Sequence, residues 1–94
     1  MKFYYGNKLA RTSKTHTYTH AILTLGETVV SCHTSREAAE KKIRSELAWN
    51  EKARKENDKI LAGHPVLLEK ARRSCDAYEK VIKSWRIVEL EARA

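Results

Sequence analysis

Residues 17–34 read TYTHAILTLGETVVSCHT. Two β-branched runs flank Gly26-Glu27, and a glycine leading a two-residue loop suits a tight hairpin because it accepts positive φ without steric cost. Pairing Leu25 with Thr28 predicts the rest by counting: Thr24 with Val29, Leu23 with Val30, Ile22 with Ser31, Ala21 with Cys32, His20 with His33. Side chains alternate across a sheet, so this register assigns Ala21, Leu23, Leu25, Val30 and Cys32 to the core. Tyr18, His20, Ile22, Thr24, Val29, Ser31 and His33 take the opposite face, joined by His16 if the strand starts early. A ribbon in this phase gathers imidazoles and a phenol on one surface, and a slip of one residue would disperse them.

Upstream, KFYYGNKLART (residues 2–12) repeats the device, with Gly6-Asn7 predicting pairs Tyr5 with Lys8, Tyr4 with Leu9 and Phe3 with Ala10. Downstream the period changes. Thr34-Ser35-Arg36-Glu37 matches a capping box and starts a helix from about Ser35 to Ala62, stopped by a left-handed Gly63, with Pro65 opening a second helix. The middle of the first helix, EKARKENDK, is almost wholly polar, so it projects into solvent or is covered only by the second helix. In that second helix Leu68, Ala71, Cys75, Tyr78, Ile82 and Trp85 recur at three- and four-residue steps, the spacing of a packing seam. Alternation over Trp85–Leu90 favours a returning strand over a continued helix. The expected fold is α+β: an antiparallel sheet of two β-hairpins with a fifth, C-terminal strand, packed on a long antiparallel helical hairpin. It forms a single domain over 1–94, with the sheet in 1–34, the hairpin in 35–84 and the strand or helix end in 85–94.

Nineteen Lys and Arg against twelve Asp and Glu leave a net charge of +7, which favours phosphate-bearing partners. Two distant cysteines argue against a disulfide framework and for a reducing compartment. No apolar run has the length of a secretory signal or a membrane span, so a cytoplasmic protein with no membrane partner is expected.

No decisive catalytic, metal or phosphate-loop signature is present. His16, His20, Cys32 and His33 invite a zinc reading, but strand rise sets His16 and His20 about 13 Å apart, and neither metal nor cofactor is expected. A small basic nuclease would use the histidines as acid and base with Lys14 or Arg11 on the phosphorane, yet directly opposed cross-strand imidazoles leave little room for substrate between them. Nucleic-acid binding is suggested by KFYY among Lys8, Arg11 and Lys14, aromatic platforms ringed by cations. The favoured reading is a non-enzymatic protein binding a small phosphate-bearing ligand such as a cyclic nucleotide. Arg11, Lys14 and Arg36 supply cations, Tyr18 stacks, and His20 and His33 hydrogen-bond; Arg36 also marks a helix start, where free amides favour anions. Helices of roughly 25 residues run nearly 40 Å, longer than a small sheet covers. Trp49, Ile60, Leu67 and Leu68 therefore call for a partner, and a homo-oligomer is expected.

The stretches YYGNKLARTSKTHTYTHAI and VVSCHTSREAAEKKI, a β-hairpin sheet followed by a helical pair, resemble a type of short bacteriophage or prophage protein. In order of elements and size the layout is similar to the phage anti-Thoeris sponges, which sequester cyclic ADP-ribose-type signals of bacterial defence systems. That resemblance implies a catalytically inert counter-defence oligomer with its signal pocket between protomers, in the host cytoplasm. No ligand-binding residue of the family is carried over to a position here. A small anti-CRISPR protein, directed at a Cas protein or its nucleic-acid groove, is the neighbouring alternative.

Overall fold

The computed structural model describes all residues, Met1–Ala94. Its elements are β1 (Lys2–Tyr5), β2 (Lys8–Thr12), β3 (His20–Leu23), β4 (Val29–His33), α1 (Arg36–Ile60), α2 (Pro65–Lys83), β5 (Arg86–Glu89) and β6 (Glu91–Arg93). The class is α+β, as the sequence pattern indicates, but the strands form two antiparallel sheets of three, ordered β2-β1-β6 and β4-β3-β5. The returning C-terminal strand exists and lies between the two hairpins. Only Leu90 separates β5 from β6, and its N–H donates to the Thr19 carbonyl at 2.8 Å. No helix is long and apolar enough to cross a membrane. The chain divides into two compact units, residues 1–42 with 84–94, and residues 43–83.

In the first unit Gly6 has φ +56°, and Tyr5 pairs with Lys8 across the expected two-residue turn. Tyr4 faces Leu9 as counted. A bulge then intervenes, so Phe3 faces Arg11 and not Ala10. The second hairpin keeps His20 opposite His33, Ala21 opposite Cys32 and Ile22 opposite Ser31, but bulges before Leu23, which meets Val29. The turn is longer than a two-residue loop. Glu27 N–H donates to the Thr24 carbonyl and Thr24 N–H to the Thr28 carbonyl, both at 2.9 Å, while the Thr24 hydroxyl accepts the Thr28 N–H at 3.0 Å. Glu27, not Gly26, takes the left-handed conformation, with φ +64°. That costs a non-glycine residue about 1–2 kcal/mol. The Glu27 carboxylate is held by Arg86 at 2.7 Å and Lys8 at 3.4 Å, and Arg86 also donates to the Tyr5 hydroxyl at 3.1 Å.

The longer turn expels Leu25, which is 81% exposed and not a core residue. Ile22 is wholly buried although it shares the histidines' face, because β3 is central in its sheet and covered on both sides. Phe3, Ala21, Ile22, Leu23 and Ala39 make this unit's core. At the helix start Ser35, not Thr34, is the cap: its hydroxyl accepts the Ala38 N–H at 3.0 Å.

In the second unit α1 stops at Ile60, and His64 N–H closes a turn on the Leu61 carbonyl at 2.9 Å. Gly63 does not adopt positive φ, because that hydrogen-bonded turn ends the helix without a left-handed residue, and Pro65 opens α2. The polar run in α1 reaches α2 through Arg54 and Asp58, with Asn50 and Glu46 making further contacts from the preceding turns. Asn50, buried, donates from Nδ2 to the Cys75 carbonyl at 3.0 Å. Arg54 reaches Asp76 at 2.6 Å and Glu79 at 3.6 Å, Arg72 reaches Asp58 at 3.2 Å, and Tyr78 donates to Glu46 at 3.1 Å. Matched polar partners thus contribute to the pairing of the two helices. Cys75 and Ile82 are buried on the expected α2 seam, whereas Tyr78 is exposed.

Candidate functional site

The six residues singled out from sequence fall into two groups and one outlier. Arg11 and Tyr18 come together in the first group. Alternation alone would place Arg11 opposite Lys2; the bulge in the first hairpin places it opposite Phe3, and Phe3 supports Tyr18 edge-on with ring centroids 5.5 Å apart at 85°. The Arg11 guanidinium then sits 5.0 Å over the Tyr18 ring. Bulges re-aim side chains in this way. His16 stacks on Tyr18 at 5.9 Å and 20°.

Residues 13–19 are not a strand, contrary to the early start allowed for β3. The Ser13 hydroxyl accepts the N–H groups of Thr15 at 3.3 Å and His16 at 3.1 Å, tightening the chain into a serine turn. Thr12 belongs to β2, so the loop begins at Ser13 and carries Lys14 exposed, without an ion-pair partner. The result is a cation–π pair with a stacked imidazole on one aromatic ring, and an exposed lysine in the adjoining loop.

The second group is a row across β5, β3 and β4: Glu89 faces His20, which faces His33. Cross-strand partners share a sheet face. His20 Nδ1 shares a hydrogen bond with the Thr19 hydroxyl and His33 Nε2 with the Ser31 hydroxyl, each 2.7 Å. Glu89 escaped sequence reasoning because alternation in residues 85–90 announces a strand without naming its neighbour. Arg36, the outlier, is ion-paired with Glu40 at 3.3 Å. No cluster of three or more His, Cys, Asp or Glu is arranged to hold a metal ion.

Burial, then the charge of Lys42, push the His33 imidazole below its ordinary 6.5. The unfolded chain therefore binds more protons than the folded one as pH falls below that value. This contribution to stability is complete above 6.5 and is lost on acidification through the lowered folded value. Melting temperature should fall between about pH 7.5 and about pH 5, with a shallower slope in His33→Gln; equal slopes in thermal melts would refute the assignment. Burial likewise raises the Cys32 thiol, against a smaller opposing effect of Arg11.

Two further arginines lie on tyrosines, Arg93 at 4.5 Å from the Tyr4 ring centroid and Arg86 at 5.5 Å from that of Tyr5. Neither was anticipated, because their placement depends on which strands the chain end joins. No protein-family model, curated protein or solved structure matches this chain.

Proposed function

We propose that the protein is a non-enzymatic binding protein that captures a small phosphate-bearing nucleotide on the surface built by Arg11, Lys14, His16 and Tyr18. The observation that carries this reading is the Arg11 guanidinium stacked over Tyr18, with His16 on the same ring. A planar base gains by stacking on such a group, and an adjacent phosphate gains from arginine and lysine, whose hydrogen bonds to anions are the strong ones. His20 and His33 face each other in another cross-strand row, each hydrogen-bonded to a neighbouring hydroxyl, and Arg36 already has an acidic partner. The resemblance to phage sponges supports a cyclic ADP-ribose-type ligand, held unchanged in the host cytoplasm as a counter-defence measure.

The test is calorimetric titration with cyclic nucleotides, followed by recovery of the ligand after denaturation. Binding with intact recovery is expected, and Arg11→Ala should weaken affinity about tenfold or more, the effect of losing a charge-assisted contact of roughly 1.5–3 kcal/mol. No heat at millimolar ligand, or turnover of the ligand, would overturn the reading.

A second reading, single-stranded nucleic acid, is favoured by one observation: Arg93 lies on Tyr4 beside Lys2 on the β2-β1-β6 sheet. It is separated by salt, since affinity for a polyanionic strand falls steeply as ionic strength rises.

A further inference from the structure

Trp49, Ala53, Glu56 and Ile60 follow one another along α1 at steps of four, three and four residues, the spacing of a coiled-coil seam. Contact with α2 is made by other residues of α1, Asn50, Arg54 and Asp58. Trp49 and Ile60, at the two ends of the stripe, are 68% and 73% exposed. Between them lies a groove of about 110 Å³ lined by Trp49, Lys52, Ala53 and Glu56. These are positions i, i+3, i+4 and i+7, the four residues that form the hole for a knob from a facing helix. A cavity of about 150 Å³ holds a benzene molecule, so this groove has room for one side chain.

The charges along the stripe are also unfinished. Glu56 has no ion-pair partner in the chain, and the Lys52 ammonium meets only the Trp49 ring, 5.7 Å away. Charges on the neighbouring face of the same helix are paired across to α2.

We propose that this stripe packs against the same stripe of a second copy of the chain, antiparallel, about a two-fold axis near Arg54 and Lys55. In that register Trp49 lies against Ile60 of the second copy. Ala53 faces the second copy's Glu56, whose carboxylate enters the groove beside Lys52. The axis makes each contact reciprocal, as an isologous interface requires. Charge selects a second copy as the occupant: the groove is lined by one unpaired cation, Lys52, and one unpaired carboxylate, Glu56, and the two-fold axis sets each against the opposite charge of the second copy. The stripe spans roughly 16 Å of helix, so the interface belongs to the weak class below about 1,200 Å².

Sedimentation of the intact chain from roughly 1 µM to roughly 500 µM covers the range of such an association. Weight-average mass should rise from 10.8 kDa toward twice that value. Glu56→Lys and Lys52→Glu should each remain monomeric at the highest concentration, and the double exchange should restore the dimer; Trp49→Ala, which alters no charge, should also remain monomeric. Circular dichroism confirms that each variant is folded. A wild-type chain that stays monomeric throughout overturns the proposal. Single charge variants that dimerise like wild type, or a folded double variant no better than the singles, also overturn it. None of these residues belongs to the nucleotide surface, so ligand titration and sedimentation can fail independently.

Discussion

Phe3→Ala should cost about 3–5 kcal/mol of folding stability, the range for truncating a buried aromatic. Phe3 is wholly buried on the central strand of its sheet, and its ring supports Tyr18 edge-on. Removing it leaves a void in the first unit and withdraws the floor on which Tyr18, and therefore the Arg11 stack, is held. Domains of this size have about 5–15 kcal/mol in all, so a large share of the stability goes, read as the denaturant midpoint. Ligand affinity measured on the fraction that remains folded should fall as well, because the stack is no longer pre-organised. Phe3→Leu separates the two effects: it refills most of the volume but gives Tyr18 no aromatic edge. A variant as stable as wild type would show that Phe3 is not the keystone its burial indicates.

Ile22→Ala should be the second most damaging change, at about 2–5 kcal/mol. For a domain of 60–100 residues each kcal/mol shifts the melting point by about 4–8 °C, so a loss of about 8 °C or more is expected. The informative control is Leu25→Ala, an equally conservative truncation at a residue 81% exposed in the turn, for which a change within about 0.5 kcal/mol is expected. Simple alternation gives the opposite ranking, with Leu25 inside and Ile22 on the outer face. Thermal melts of the two variants side by side decide between a sheet covered on one face and one covered on both.

Much of the ribbon was legible from residues 17–34 because turn chemistry and two-residue alternation are local. His20 does oppose His33, with Ala21 on Cys32 and Ile22 on Ser31. Gly6 takes the positive φ that its turn demands, and Pro65 opens α2. The bulges were not legible. Each inserts one residue to suit a neighbouring structure, and counting from the turn cannot show where that happens. One of them exchanges Ala10 for Arg11 opposite Phe3 and so brings Arg11 over Tyr18.

The polar run of α1 divides between the two expected environments: Arg54 and Asp58 meet partners on α2 that are 14 to 25 residues away in sequence, while Lys52, Lys55, Glu56 and Lys59 are exposed. Of the candidate site, Arg11 with Tyr18 and His20 with His33 come together, while Arg36 pairs with Glu40. Glu89 and Arg93 enter only through the strand order.

By itself the amino-acid sequence determined the succession of hairpins, helices and final strand, the pairing of the two histidines, and the chain's positive charge. Each depends on periodicity, on turn residues or on composition, which act over a few neighbours or by simple summation. Tertiary structure alone decided that the last strand lies between the hairpins, that Ile22 is enclosed from both sides, and that Arg11 rests on Tyr18. Those outcomes depend on which distant segments meet, and local preferences are nearly indifferent to that choice.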